Sequence, residues 1–359
     1  MKNTIKILSF LSICCFAVVG LANQAAAEWP DKPITAVIQY KAGGGTDVMT
    51  RAYAAEMEAP LKATINAVNR DGALGALAMD FVWQKPSDGY WWLGGSNFGK
   101  QLRVMGHTTL SPWKDWQYFK AGNSIQGFAV KTDSPFKTLG DFIEAARKEP
   151  GKYKISNSGV GGLWAEGISI LASEAKIDVK QIPYKGGAPA ALACLQGEVD
   201  LAGSGLHETI EFIRAGKMRN LAIFAKDPIT LKDGTVLQPV GKYVPSLDAY
   251  APFGGYYTLA VKRDTPAPII EKIAEAFKAA CNSAKFEGML EKKFFLKDVL
   301  VGEAADKAAA RAESTTAWLL WDLKVEGAKV NPADVGIPRP EDFDKWWPPQ
   351  GYKPTISSK

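Results

Sequence analysis

The sequence contains very little histidine and cysteine. Two histidines and four cysteines occur among 359 residues, and His107 and His207 stand far apart, without the spacing of metal ligands. Structural zinc sites and Ser-His-Asp catalytic centres are built mainly from these residue types. The sequence therefore predicts no metal site, and each histidine is interpreted as a surface or hydrogen-bonded residue.

Sequence motifs for nucleotide binding and covalent catalysis are also missing. Residues 43–47 lack the G-K-[ST] ending of a phosphate-binding loop, and residues 159–162 do not form G-x-G-x-x-G. The chain has no G-x-S-x-G segment that would place a nucleophilic serine. We therefore expect no cofactor, no catalytic residue and no enzymatic activity.

Charge is balanced along the chain. The sequence has 43 Lys and Arg against 38 Asp and Glu, and its formal net charge is +5. The basic residues form no continuous stripe of the kind that nucleic-acid binders present, so no nucleic-acid partner is expected. A hydrophobic content of 47% is typical of a globular protein. At about 150 residues per domain the length predicts two domains.

The first 27 residues have the pattern of a secretory signal peptide. Two lysines precede an apolar run over residues 7–22, and three alanines end at Ala27. This order predicts export and cleavage after Ala27. The alternatives are a membrane anchor, for which the run is short, and a lipoprotein, for which the residue before Cys14 is bulky. Cleavage would leave Cys194 and Cys281, as one disulfide or as two buried thiols.

Short apolar strands alternate with helical stretches along the rest of the chain, which favours an α/β fold. Two units share the order strand, glycine-rich turn, helix. The first has a strand at 34–38 and a turn at 43–47, and the second has a strand at 153–156 and a turn at 157–162. Glycines allow a ligand to approach the backbone, and the first N–H groups of a helix attract anions.

Two such turns facing each other would bind the carboxylates of a small anion. Thr46, Asn157 and Ser158 can add side-chain donors, whereas Asp47 in the first helical turn is interpreted as a cap rather than a base. Ordinary tight turns and helix caps give the same glycine pattern, so that interpretation also stays open.

Two further residues near the glycine turns are candidates for ligand contact. Trp164 stands at the beginning of the helix after the second turn, where its ring can stack on an aromatic or bulky ligand. Lys185 can supply a cation to an anion or form a surface salt bridge. The segment from about Ala328 is rich in proline and predicts a strap over the surface without a long helix.

The ordered motifs resemble the solute-binding proteins of tripartite tricarboxylate transporters, also called the Bug or TctC-like family. The resemblance covers nearly the whole chain after residue 27. It is carried by seven short segments: 29–34 (WPDKPI), 43–47 (GGGTD), 69–75 (NRDGALG), 86–90 (PSDGY), 182–190 (IPYKGGAPA), 197–200 (GEVD) and 213–219 (IRAGKMR).

The resemblance implies a periplasmic binding protein of the Venus-flytrap type, in which two α/β domains close on a ligand in the cleft between them. We expect the chain to cross between domains near residues 122–126 and 224–228. The predicted division is a signal peptide at 1–27, a first domain at 28–124 and 227–359 that includes the proline-rich strap, and a second domain at 125–226.

The resemblance also implies a set of ligand-binding residues on both domains. In the first domain these are Tyr40, Gly43, Gly44, Gly45, Thr46, Asp47, Ser96 and Asn97. In the second domain they are Ser158, Gly161, Gly162 and Ser204, to which the position of Trp164 adds a ring.

The chain departs from the family pattern in the second loop. Family members usually have Ser or Thr at the position of Gly162, and His-Leu at the positions of Ala165 and Glu166. The missing hydroxyl removes one donor, and the family's common dicarboxylates become less certain ligands. The tail from about Ala328 is also more extended than in typical members.

Together these features predict a monomeric periplasmic receptor that binds a small organic carboxylate, either a di- or tricarboxylate or an aromatic acid. Its expected partners are that ligand and the membrane subunits of a transporter. Two alternatives remain open at this stage. One is an exported hydrolase that acts on a small acid, and the other is a sensor that presents its bound state to a signalling partner.

Overall fold

The computed structural model describes residues 28–356. The strands are β1 (Ile34–Ile38), β2 (Ile65–Asn69), β3 (Trp91–Ser96), β4 (Trp116–Asn123), β5 (Gln126–Lys131), β6 (Lys154–Asn157), β7 (Lys180–Pro183), β8 (Leu201–Gly205), β9 (Met218–Ile223), β10 (Ile229–Thr230), β11 (Val236–Leu237), β12 (Tyr256–Lys262) and β13 (Leu296–Leu300). The α-helices are α1 (Gly45–Leu61), α2 (Ala76–Trp83), α3 (Leu139–Lys148), α4 (Leu163–Ala175), α5 (Gly187–Gln196), α6 (Leu206–Arg214), α7 (Ala267–Cys281), α8 (Ala284–Lys293), α9 (Gly302–Asp322) and α10 (Phe343–Trp346).

The first sheet has the strand order β13-β4-β12-β3-β1-β2. β1 runs parallel to β2 and β3, whereas β12 runs antiparallel to β3 and β4. Helices α1 and α7 cover one face, and the rings of Tyr53 and Phe277 meet edge to face there at 5.4 Å. Trp92 and Phe119 from the sheet are fully buried against these helices. The predicted first strand and its helix are confirmed, and the helix extends to Leu61.

The second sheet has the order β7-β6-β8-β5-β9. β6 is parallel to β7 and β8, and β5 is antiparallel to β8 and β9. Its core includes Phe128, Phe142, Ile168 and Leu201, all of which are fully buried. Thr138 precedes α3 and forms a capping box with Asp141, which satisfies N–H groups at the start of the helix.

Only Ser124 and Ile125 lie between β4 of the first sheet and β5 of the second. The connection that returns from β9 of the second sheet to β12 of the first is longer. Its residues Val240, Val244 and Leu247 still pack into the core beneath the second sheet. We propose that the return crossing lies at residues 252–255 rather than near 224–228, so that the second domain covers about residues 125–252. The division of the chain into domains remains a prediction.

The C-terminal segment lies over the first sheet and α9. It contains short 3-10 turns and the four-residue α10, which confirms the prediction that residues 328–356 form no long helix. Phe343 and Trp347 stack at 6.0 Å, and the Arg339 guanidinium lies 3.7 Å from the centre of the Trp318 ring. Such aromatic contacts anchor a segment that has few backbone hydrogen bonds of its own.

Cys194 and Cys281 are both buried and unbonded to each other, in two different hydrophobic clusters, so the alternative of two separate thiols is confirmed. Burial raises the pKa of both thiols to about 12. The predicted signal peptide and its cleavage after Ala27 lie outside the described residues. Within residues 28–356, each helix is too short or too polar to cross a membrane.

Candidate ligand-binding cleft

A cavity of about 150 Å³ lies between the two sheets, beside the carboxyl ends of their parallel strands. This is the edge at which open α/β sheets usually bind ligands. Nine of the sequence-predicted site residues line it: Tyr40, Gly44, Gly45, Thr46, Ser96, Asn97, Ser158, Gly162 and Trp164.

The first wall is the loop between β1 and α1. Gly44 precedes the helix with extended backbone angles and provides no side-chain cap. The first N–H groups of α1 therefore have no intrahelical acceptor and lie beside the cavity. Gly45 must be glycine here, because a Cβ at that position would overlap Tyr257 Oη and His207 Nε2. The helix can thus approach the other side of the cleft closely.

Asp47 and Gly43 stabilise this loop from outside the cavity lining. Asp47 Oδ2 accepts a hydrogen bond of 3.0 Å from the Gly43 N–H, and Asp47 Oδ1 accepts from Arg51 and Asn69. Burial alone would raise the pKa of Asp47, but these hydrogen bonds outweigh it and lower that pKa. The carboxylate thus acts as a clamp on the glycine loop, and its ligand contact remains a prediction.

Tyr40, Ser96 and Asn97 form the adjoining part of the first wall. Tyr40 Oη donates a 3.0 Å hydrogen bond to the Leu74 carbonyl, and Asn97 Oδ1 accepts one of 3.0 Å from the Tyr256 N–H. Burial raises the pKa of Tyr40 to about 12, so its phenol is neutral at physiological pH. The wall therefore presents neutral polar groups beside the start of α1.

The second wall is formed by the N-termini of two helices, α4 and α5. Gly162 precedes α4 without a side-chain cap, and Ser158, Leu163 and Trp164 line the cavity beside it. The start of α5 contributes four residues, Gly186, Gly187, Ala188 and Pro189. Together with α1, three helix N-termini therefore face one small cavity, and their combined dipoles favour an anion.

Two other predicted residues of the second domain lie away from the lining. Gly161 faces the Met105 side chain, and Ser204 is fully buried within β8. Asn157 is also directed elsewhere, since its amide donates to Gln181 and its carbonyl oxygen accepts from the Gly159 N–H. A role for Gly161 and Ser204 in binding remains a prediction.

The floor of the cleft contains residues that no sequence motif identified as candidates for ligand binding. Tyr257 Oη lies 3.2 Å from His207 Nε2 and 3.1 Å from Ser124 Oγ. Burial, and then the nearby Glu208 carboxylate, raise the pKa of Tyr257 well above its ordinary value. The phenol on β12 thus contacts both the first crossing between the sheets and α6. Tyr257 and Glu208 line the cavity, and His207 is buried behind it.

Among residues 28–356, the basic residues in the lining are Lys41 and Lys185, and both are exposed. Lys185 was a candidate from the sequence, whereas Lys41, Leu74, Glu208 and Tyr257 were not. The glycines that follow Lys185 were the sequence feature that indicated the start of α5. Among residues 28–356, no group of three or more His, Cys, Asp or Glu side chains is placed to hold a metal ion.

A family model described as "Tripartite tricarboxylate transporter family receptor" (TctC) matches residues 49–317 of the chain. The chain belongs to this family. The resemblance found in the sequence motifs is thereby confirmed. A curated relative of this TctC-family receptor is the "UPF0065 protein in gbd 5'region" of Cupriavidus necator, which is 29% identical over 286 residues, or 77% of this chain and 84% of that protein.

Solved structures confirm the fold of this family receptor. Rpa4515 of R. palustris, solved with adipate, has a TM-score of 0.72 at 20% identity and covers 83% of this chain and 99% of its own. MatC (Rpa3494) from Rhodopseudomonas palustris, solved with bound malate, has a TM-score of 0.68 at 22% identity over 84% of this chain and 100% of its own. The expected two-domain solute-binding fold is therefore confirmed.

Proposed function

We propose that this protein is a periplasmic receptor that binds a small organic carboxylate in the cleft and delivers it to the membrane subunits of a tripartite transporter. The observation that carries the proposal is the convergence of the N-termini of α1 and α4, from opposite sheets, on a cavity of about 150 Å³. Backbone N–H groups supply charge-assisted hydrogen bonds to a carboxylate without burying a cationic side chain.

Binding in this proposal is coupled to closure of the two domains. A ligand held by the N-terminus of α1 on one side and that of α4 on the other contacts both domains only when they are closed, and so stabilises that state. The short connection at Ser124 and Ile125 and the Tyr257–His207 contact support a hinge behind the cleft. No covalent step is required.

The ligands seen in two structural relatives support a carboxylate as the bound group. Rpa4515 was solved with adipate and MatC with malate. Trp164 lines the cavity of this chain and favours a second ligand class, an aromatic acid whose ring stacks on the indole. Periplasmic location and monomeric state belong to the same proposal.

The proposal is tested by a thermal-shift screen of purified protein against aliphatic and aromatic carboxylates, followed by calorimetry on the acids that raise the melting temperature. At least one carboxylate is expected to bind and to be recovered unchanged, because a tight ligand stabilises the folded state by mass action. Turnover of the bound acid would instead support an exported enzyme. Normal uptake of that acid by a deletion strain would argue for a sensor rather than a transport receptor.

A further inference from the structure

Glu208 is a carboxylate within the cavity that the N-termini of three helices surround. It lies in the first turn of α6, lines the cavity, and has a side chain that is only 5% exposed. An acidic side chain is not expected in a site that binds anions, because two carboxylates in a dry cavity repel each other. Its position therefore restricts what the ligand can present there.

One of the two carboxylate oxygens is already bound to the protein. Oε2 accepts a 2.8 Å hydrogen bond from the N–H of Gly205, the residue that precedes α6. Oε1 receives no hydrogen bond from residues 28–356, and His207 Nε2 lies 3.6 Å from it. A carboxylate oxygen accepts up to two hydrogen bonds, so Oε1 is free to accept a donor from a ligand.

The carboxylate also lies at the start of α5. A Cβ at Gly187 would overlap both oxygens of Glu208, so the backbone of α5 approaches the carboxylate directly. The positive end of the α5 dipole is thus already complemented by a negative side chain of this protein. The N-termini of α1 and α4 remain for a carboxylate of the ligand.

The distance between these two sites is short. A Cβ added to Gly45, at the start of α1, would lie 2.5 Å from His207 Nε2, and the same nitrogen lies 3.6 Å from Glu208 Oε1. A carboxylate bound at the start of α1 therefore has its neighbouring carbon atom close to Glu208. A hydroxyl or ammonium group on that carbon would donate to Oε1, whereas a second carboxylate would be repelled.

We propose that Glu208 selects carboxylates that carry a hydrogen-bond donor, hydroxyl or ammonium, on the carbon next to the carboxylate. This inference rests on the proposed function and assigns the substrate class of the same cleft. An unpaired buried acceptor discriminates strongly between ligands with and without this donor. An analogue that lacks the donor leaves the acceptor desolvated and without a hydrogen bond.

The experiment compares matched acids by calorimetry on the full mature protein. The pairs are malate with succinate, aspartate with succinate, lactate with propionate, and mandelate with phenylacetate. The substituted acid of at least one pair is expected to bind at least fivefold more tightly. Comparison of the hydroxy acids with aspartate shows whether the site prefers a hydroxyl or an ammonium donor.

Glu208→Gln is the informative variant, because its amide oxygen can still accept from the Gly205 N–H while the free carboxylate oxygen is lost. We expect it to reduce the preference within the pair at least fivefold. Glu211→Gln, on the same helix but half-exposed and paired with Arg214, is the matched control and should leave the preference unchanged.

The possible results separate the two proposals. If the unsubstituted acids bind as tightly as their partners, or if Glu208→Gln keeps the preference, the role of Glu208 is wrong while carboxylate binding stands. If none of these acids binds, the role of Glu208 is wrong, and the screen of aliphatic and aromatic carboxylates decides separately whether the cleft binds a carboxylate. If Glu208→Gln fails to fold, the affinity ratio of the matched acids in the unaltered protein decides alone. A ratio below fivefold in every pair would then count against the inference.

Discussion

Lys100 Nζ lies 3.2 Å from Glu166 Oε2, and this ion pair joins the two halves of the molecule. Lys100 follows β3 of the first sheet, whereas Glu166 belongs to α4 on the second. Their side chains are only 6% and 3% exposed, and Thr316 on α9 donates a 3.0 Å hydrogen bond to Glu166 Oε1. Each buried charge therefore depends on the other for compensation.

Removal of one partner of this pair is expected to be strongly destabilising. Glu166→Ala leaves the Lys100 ammonium buried without a counter-charge, which typically costs about 3–5 kcal/mol. Urea denaturation of the apo-protein should show a free energy of unfolding that is lower by that amount. The matched control is Lys152→Ala, since Lys152 and Glu149 form an exposed pair whose loss should change stability little.

Replacement of both partners by apolar residues should restore most of the loss. The double variant Lys100→Met with Glu166→Leu removes both charges together, and such replacements of buried pairs are often neutral or stabilising. We therefore expect it to be more stable than Glu166→Ala by at least about 2 kcal/mol. Equal stability of the two variants would show that Glu166 acts mainly through Thr316 or through packing.

Two hydroxyls on opposite walls of the cleft should contribute to ligand affinity. Within residues 28–356, the side chains of Thr46 and Ser158 have no hydrogen-bond partner, although both residues line the cavity. Because a hydrogen bond to a charged group contributes about 1.5–3 kcal/mol, the double change to alanine should weaken carboxylate binding at least tenfold. Isothermal calorimetry measures this change in affinity. The melting temperature of the apo-protein should equal that of the unaltered protein.

The control for this pair is Thr64→Ala with Ser173→Ala, which removes two exposed hydroxyls from the same two halves of the molecule. Its affinity should equal that of the unaltered protein. If the cleft variant also binds with unaltered affinity, the cavity between the sheets is not the carboxylate site.

Trp164 should matter most for ligands that carry a ring. Its side chain lines the cavity and lies 6.2 Å from the ring of His207, so Trp164→Leu removes an aromatic surface while keeping an apolar one. Calorimetry should show a greater loss for mandelate or benzoate than for lactate, since aromatic pairs gain about 0.5–1.5 kcal/mol beyond burial. Equal losses for both kinds of acid would refute ring stacking.

Glu313 on α9 is expected to make stability depend on pH. Burial raises the pKa of Glu313 to about 7, against the opposing effect of Arg103, whose Nη1 lies 3.2 Å from the carboxylate. The ordinary value is 4.5, so between these pH values the folded state holds more protons at this group than the unfolded state. Its contribution to the free energy of unfolding is therefore greatest below pH 4.5 and is lost as the pH rises through 7.

Glu313→Gln isolates this contribution, because the amide accepts from Arg103 but does not titrate. Relative to this variant, the stability of the unaltered protein should fall by about 3 kcal/mol between pH 4.5 and pH 8. Urea denaturation of both proteins at each pH gives the difference between their free energies of unfolding. If the pH profiles of the two proteins are parallel, Glu313 is not the group responsible for the pH dependence.

Local sequence was sufficient to predict the glycine loops. Residues 43–47 and 157–162 stand between an apolar strand and an amphipathic helix, and backbone geometry alone then exposes the first N–H groups of the helix. The prediction that α4 begins near Leu163 is confirmed for the same reason. The chain has little histidine and no nucleotide motif, and the walls of the cavity present the backbone N–H groups of helix N-termini instead.

The tertiary structure alone determined which of these donors share one cavity. Glu208 on a helix and Tyr257 on a strand carry no local signal, and they meet the glycine loops only because the two sheets pack with their carboxyl ends together. Such contacts join residues far apart in the chain, as in the 50 positions between His207 and Tyr257. Periodicity describes only neighbours within one element, so these contacts had to come from the packing of the sheets.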